Sequence, residues 1–465
     1  MQIDGLGRAS IDRMVPIAHK ARTSFVIAAA GAVVATALVL APRHDRGASC
    51  APQAAITNDD ITLTGRLTSS KFLPGPQDLA VTIRAKAGHA ATRPPLSLAV
   101  VIDRSGSMNG VPMRNAKAAA AELVDQLDEA DAFTIVTFSS NDEVVAPIQS
   151  ATPAKKAAAR AAIERIWDDG GTCTSCGLTT ATAQLGRSPI AGGLRRIVLI
   201  SDGQANLGIF NRDELAQLVS RTAANGISIS TVGVGLEFDE VTMARLADVG
   251  RGNYYFVEDT ANLGTMFRRE LGGLAETVAS EVRLVVDAGP GVQIIEAYGY
   301  PMTREAGQVI VPIADLRAGE TRKVVLHVQV DLSGVGETSI ANLQLGWRRA
   351  SDGATRTTTA HAAAELVTTA NEVAGSYDRD AVRAATEAQS ARALEQATIT
   401  YERQGYRAAQ QVLQQHIDNV RANAQLDDES RKALEGAASD AITDFQMTPA
   451  SAAKTTRAKA YKLAK

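Results

Sequence analysis

The sequence predicts a multidomain chain. An α/β domain built on a doubly wound, mostly parallel sheet is inserted into an antiparallel β-sandwich, with a transmembrane helix ahead of it and a helical bundle behind it. Three patterns carry this prediction. Residues 96–275 alternate strand-length apolar runs with helical periodicity, as strands buried between helix layers do. Residues 58–95 and 276–368 hold short β-rich segments punctuated by turn residues, as a sandwich does. Residues 369–447 are rich in Ala, Gln and Glu at helical spacing.

In chain order, residues 1–22 are expected to be a cytoplasmic tail and residues 23–42 a transmembrane helix or signal anchor. Residues 23–42 are twenty consecutive uncharged residues between Arg22 and Arg43. At about 1.5 Å per residue they span roughly 30 Å, the thickness of a bilayer core. Arg8, Arg13, Lys20 and Arg22 outweigh the basic residues that follow, which keeps this end in the cytoplasm and puts the bulk of the chain in the periplasm or at the cell surface. Cleavage as a signal peptide near Ala48 is the rival reading. Residues 43–57 read as a linker.

Two alternating segments, 61–67 and 79–85, are separated by Pro74-Gly75-Pro76, read here as a loop. A hairpin alone is marginal, so these strands are assigned to the same sandwich as 276–368. Inside the α/β domain the expected strands are 96–102, 133–138, 196–201, 227–234 and 254–257; the expected helices are 113–127, 153–167, 178–186, 213–224, 238–249 and 263–274. Beyond 369, Gly405 breaks one helix and Leu426-Asp427-Asp428 starts another, giving about three helices. Residues 448–465 hold five basic and no acidic side chains and are expected to be a solvated basic tail, with contact to an anionic surface as the alternative.

Composition removes several function classes. The 465 residues carry 48 basic and 51 acidic side chains, a net charge of -3, without the basic excess of a general nucleic-acid binder. Three cysteines are too few for a disulfide scaffold, and the six histidines form no His-Glu-x-x-His pattern. No nucleophile elbow and no phosphate loop of the Walker type is present. The chain therefore does not read as an enzyme.

The informative residues sit where buried strands end. One strand runs into Asp103-Arg104-Ser105-Gly106-Ser107 and another ends in Ser201-Asp202-Gly203; between them lies Asp168-Asp169-Gly170-Gly171-Thr172. The C-terminal ends of parallel strands form the binding edge of such a sheet, so all three segments can converge. Asp103 and Asp202 supply carboxylates, and Ser105, Ser107 and Thr172 supply hydroxyls. With no nearby thiolate or imidazole ligand in this set, Mg²⁺ or Mn²⁺ fits best and Ca²⁺ is the weaker candidate. Gly106, Gly171 and Gly203 would let the backbone turn around the ion. Any one of the five residues could equally be a turn former or helix cap.

Asp103-x-Ser105-x-Ser107, then Thr172, then Asp202 resembles the von Willebrand factor A domain and its metal-ion-dependent adhesion site, over about 180 of the 465 residues. The resemblance implies that Ser105, Ser107 and Thr172 touch the metal directly while Asp103 and Asp202 hold it largely through water. It also implies that a protein ligand supplies an Asp or Glu to complete the shell. The function expected is cation-dependent protein binding or adhesion at the membrane. The alternative is a non-catalytic partner of an AAA+ ATPase complex in metal insertion or complex assembly, which requires a cytoplasmic domain.

Cys173 and Cys176 follow Thr172 directly. A disulfide stiffening this loop is preferred, with free thiols and a redox centre as alternatives; Cys50 is left over. Arg104 reads as a rim charge or as an attractor of an acidic partner group. Trp167 is expected in the core.

Overall fold

The computed structural model describes residues 60–87, 94–202, 205–234, 239–257, 276–447 and 449–464. The expected tail, transmembrane helix and linker before residue 58, and the expected helix at 263–274, lie outside them. Among the described residues no helix is long and apolar enough to cross a membrane.

In chain order the strands and helices are β1 (Ile61–Leu67), β2 (Lys71–Phe72), β3 (Gly75–Ala85), β4 (Leu96–Asp103), α1 (Val111–Asp125), β5 (Ala132–Phe138), β6 (Asp142–Ser150), α2 (Pro153–Glu164), α3 (Thr174–Leu185), β7 (Leu194–Ser201), α4 (Arg212–Ala224), β8 (Ile227–Val234), α5 (Glu240–Val249) and β9 (Arg251–Val257). There follow β10 (Thr277–Ala288), β11 (Val292–Ala297), β12 (Thr303–Glu305), β13 (Gln308–Pro312), β14 (Leu316–Arg317), β15 (Thr321–Val330), β16 (Gly336–Arg349) and β17 (Thr355–Leu366). The rest is helical: a single turn α6 (Ala370–Val373), then α7 (Arg379–Gln404), α8 (Tyr406–Ala422), α9 (Asp428–Met447) and α10 (Pro449–Ala464).

The α/β sheet has the order β6-β5-β4-β7-β8-β9. All neighbours are parallel except β6, which runs antiparallel on the edge. Every residue of β4 and β5 is buried, because α1 and α2 cover one face while α3, α4 and α5 cover the other. Burial on both faces is why these strands read as unbroken apolar runs. Strand β6 was not assigned from the sequence; it is half-exposed, charged at its start and carries Pro147, all tolerated on an edge. Helix α3 starts at Thr174, four residues before the expected start at 178. It rides close to the sheet: a Cβ on Gly177 would stand 2.7 Å from Phe138 Cδ1 and 3.0 Å from Val101 Cγ1. Gly177→Ala is therefore expected to cost about 1–3 kcal/mol through overpacking, measured by chemical denaturation.

The sandwich consists of a four-stranded sheet, β1-β3-β15-β11, facing a sheet of order β12-β13-β10-β16-β17-β2 with β14 paired to β10. Leu63, Leu79, Val81 and Ile83 share one core with Leu284, Leu326, Leu343 and Trp347. Strand β3 lies between β1 and β15 throughout 79–84, so the chain leaves the sandwich after β3 and re-enters it at β10. Pro74-Gly75-Pro76 is not wholly a loop: Gly75 and Pro76 open β3, paired to Val330 and Gln329. Strand β1 pairs only with 79–85, so Pro76 sits where β3 is bare on one side and its missing N–H leaves no gap in a ladder.

Helix α7 lays Ala381, Ala384, Ala385 and Ala388 on Ala80, Tyr298 and Val325 of the sandwich; the small side chains of the helix allow close approach. The basic tail expected at 448–465 is instead helix α10, packed in the helical region and against the α/β domain. Arg457 and Lys454 are buried, and Arg457 pairs with Glu240 of α5 and with Glu402 of α7. Glu240 is 217 positions away in the chain, so the run of basic residues only looks uncompensated in sequence.

Candidate metal centre

Starting from β4, the chain turns to one side for β5 and β6 and then returns to place β7 on the other flank. Sheet order therefore reverses between β4 and β7, where such folds open a binding crevice beyond the strand ends. Ile102 pairs with Ile200, so Asp103 and Ser201 leave the sheet side by side.

Asp103 is fully buried. Its Oδ1 accepts the Ser105 backbone N–H at 2.8 Å, and its Oδ2 accepts the Ser201 hydroxyl at 2.5 Å. The Ser105 and Ser107 hydroxyls lie 3.1 Å apart, and Ser107 donates to Asp202 Oδ1 at 3.1 Å. Four of the five expected residues thus form one hydrogen-bonded chain. Ser105 and Asp202 are buried while Ser107 is exposed, so the cluster opens to solvent at one end.

Thr172 reaches the same edge through its backbone. Asp169 N–H donates to the Arg104 carbonyl at 2.7 Å, and Gly106 N–H donates to the Gly170 carbonyl at 3.1 Å. Thr172 N–H donates to Asn206 Oδ1 at 2.8 Å, and the Thr172 carbonyl accepts from Asn206 and Leu207. Among the described residues, its buried hydroxyl makes no hydrogen bond to the other four. The glycine that needs left-handed freedom here is Gly170, at φ 78°, where a Cβ would stand 2.7 Å from Ser140 Oγ. Gly106 has no such need, and Gly203 lies outside the described residues.

Ser139, Ser140 and Asn206 were not singled out in the sequence, and Ser201 was named there only as part of the strand end before Asp202. The Ser139 carbonyl accepts from Cys173 N–H, and Ser140 Oγ accepts from Gly171 N–H. A usable signal existed for the serines: Ser139-Ser140 follows a buried strand on the same edge as Asp103. Asn206 had none, because its role is to hold a loop distant in sequence. Cys173 and Cys176 form a disulfide with Cα atoms 5.3 Å apart, across the first turn of α3.

Both carboxylates are held above the ordinary range. Burial raises Asp103, against the lowering effect of its hydrogen bonds from Ser201 and Ser105. Burial first, then the charge of Asp103, raises Asp202 to about 6. Two desolvated carboxylates beside three hydroxyls attract positive charge. The donor set is all oxygen, and among the described residues no group of three or more His, Cys, Asp or Glu forms a rival centre. These residues fit a hard divalent cation.

The rim is apolar. Val111, Trp167, Leu207 and Phe210 are exposed in segments bordering the cluster. Trp167, expected in the core, is 62% exposed, and the Arg104 guanidinium lies over its ring at 5.3 Å. The α2 helix ends at Glu164, which leaves Trp167 in the loop rather than on a helix face.

The family profile described as von Willebrand factor type A domain matches residues 97–269. The uncharacterized protein YfbK of Escherichia coli (strain K12) is 32% identical over 216 residues, which are 46% of this chain and 37% of YfbK. The chain thus spans little more than a third of that relative's length. A von Willebrand factor type A structure from Catenulispora acidiphila superposes with a TM-score of 0.67 at 18% identity, covering 83% of this chain and 89% of that one. The ArnB paralog VWA2 from Sulfolobus acidocaldarius superposes with a TM-score of 0.56 at 17% identity, covering 86% of this chain and 99% of that one. Both superpositions extend well beyond the α/β sheet and show a shared fold. With the doubly wound sheet, its switch point and the profile match in agreement, residues 97–269 are a von Willebrand factor type A domain.

Proposed function

We propose that the chain is a non-catalytic protein-binding module, anchored in a membrane through residues 23–42 with its bulk extracytoplasmic, that captures an acidic group through a divalent cation. Asp103, Ser105, Ser107, Thr172 and Asp202 would hold Mg²⁺ or Mn²⁺. The observation that carries this reading is the hydrogen-bonded chain of Asp103, Ser105, Ser107 and Asp202, with both carboxylates raised by burial. When bound, the ion would supply a Lewis-acidic position for a partner's Asp or Glu. The protein's own contribution is orientation. Ser201 and the Ser105 amide fix Asp103, Asp202 positions Ser107, and the Asn206 contact holds the Thr172 loop.

A macromolecular ligand is supported by the exposed Val111, Trp167, Leu207 and Phe210 in the neighbouring segments, which a hydrated small ion does not need. No step of bond chemistry is assigned. The described histidines, His327, His361 and His416, lie on β15, β17 and α8, away from the binding edge.

The reading is tested by pull-down from native membranes in Mg²⁺ and in EDTA. Partners released by chelation support it; capture that is indifferent to EDTA and to Asp202→Ala rejects it. A pH dependence follows from Asp202. Its folded carboxyl titrates near 6, above the ordinary value of 3.8, so in the ion-free protein its charge destabilises the fold above that pH. The penalty is relieved as pH falls through 6 toward 4. Mg²⁺ is therefore expected to raise the melting temperature more at pH 7.5 than at pH 5, where a proton must leave first. Equal increments at both values would count against the assignment.

A further inference from the structure

We propose that the cleft where the α/β domain meets the sandwich binds a small tetrahedral oxyanion, of which inorganic phosphate is the simplest, and that this anion ties the two domains together. The cleft has a volume of about 20 Å³ and is lined by Arg196, Arg251, Arg317 and Arg322 with Asp315, Asn253 and Thr277. Arg196 stands on β7 and Arg251 and Asn253 on β9 of the α/β sheet, while Thr277, Arg317 and Arg322 stand on β10, β14 and β15 of the sandwich.

The charges do not balance. Arg196 pairs with Asp315 at 2.9 Å, and Arg322 pairs with Glu320. Arg251 and Arg317 make no direct ion pair with any described residue, so the guanidiniums of the cleft outnumber the carboxylates paired to them. Arg251 is the sharper case. Its Nε is shut off from solvent with no hydrogen-bond partner, and the residue borders two adjoining cavities as well. Burial and the nearby charge of Arg283 both disfavour its protonated form, against weaker support from Asp315 and Glu281.

The backbone adds to this. Arg251 is held at φ 56°, a conformation that an ordinary side chain adopts at some cost, at a bulge in the β8–β9 pairing. A desolvated cation with only partial compensation is expensive to bury, and an oxyanion offers several acceptors to the fixed donor forks of arginine. At about 20 Å³ the cleft is far smaller than the cavities that hold drug-sized ligands, which limits an occupant to a small ion and excludes a peptide segment.

The test is a titration of the full chain with inorganic phosphate in EDTA, so that the acidic centre cannot recruit phosphate through a metal. Sodium chloride at matched ionic strength is the reference. Saturable heat and a rise in melting temperature beyond chloride are expected. Arg251→Asn keeps a residue that tolerates the left-handed conformation and is expected to abolish both signals. Arg317→Gln, at a half-buried position, should weaken binding at least tenfold. Arg160→Ala, on the surface pair with Asp125, should leave binding unchanged. A wild-type protein with no heat and no shift beyond chloride overturns the proposal whatever the variants do. Undiminished binding in Arg317→Gln and Arg251→Asn overturns it equally.

Discussion

Asp103→Asn is expected to abolish cation-linked stabilisation while raising the melting temperature of the ion-free protein. The two effects share one cause. Asp103 is fully buried at the end of β4 and carries its charge against a desolvation penalty that its hydrogen bonds only partly offset. Asparagine keeps the oxygen that accepts the Ser105 N–H, and its amide can donate to the Ser201 oxygen once that hydroxyl rotates. The fold around the site is therefore retained while the charge is lost. Relief of the mutual repulsion should also bring Asp202 down from about 6, since Asp103 is the second cause of its elevation. With Mg²⁺ the ranking inverts, because a group that orients a metal shell typically carries 10–100-fold in affinity. Melting curves of wild type and variant, each in EDTA and in Mg²⁺, give the four values needed. A variant less stable than wild type in EDTA and still raised by Mg²⁺ would remove Asp103 from the centre.

Arg457→Ala carries the largest stability loss expected. Arg457 is buried between Glu240, at the first turn of α5, and Glu402 on α7; Lys454 approaches Glu240 at 3.9 Å. Removing the guanidinium leaves Glu240 buried beside a single distant ammonium, and breaking a buried pair on one side costs about 3–5 kcal/mol. Nearby, the Tyr461 ring meets Tyr254 edge-on at 5.8 Å, so the same helix face holds α10 to the α/β domain by packing and charge together. The expected result is a lower denaturation midpoint and faster amide exchange in α10 and α5 before the sandwich opens. Adding Glu240→Gln to Arg457→Met should recover part of the loss, since neither charge is then stranded. Unchanged exchange in α10 would mean that the ion cluster does not hold it.

Much of the candidate site was legible because its donors are local in pattern. Asp103, Ser105 and Ser107 lie within five residues at a strand end, and Asp202 follows another buried strand. Each segment announces its place on the sheet edge by the apolar run before it. What could not be read is how the loops are fastened. Ser140 under Gly171 and Asn206 under Thr172 are ordinary polar residues until the fold brings them within hydrogen-bond distance. Trp167 was misplaced for a related reason: a large apolar side chain is assigned to the core by default, while the loop that carries it turns its ring outward under Arg104. The edge strand β6 escaped because it lacks the two-sided burial that marked its neighbours.

By itself, the sequence determined the succession of β-rich, α/β and helical segments among the described residues, the parallel sheet and the strand ends that carry Asp103, Ser105, Ser107 and Asp202, since each depends on short-range periodicity or on residues beside a strand end. Tertiary structure alone decided that the basic C-terminal residues form a docked helix, and that four arginines from separate strands gather between the domains. Both depend on charges brought together across long stretches of chain, and a Coulombic partner that distant leaves no mark on the spacing of residues.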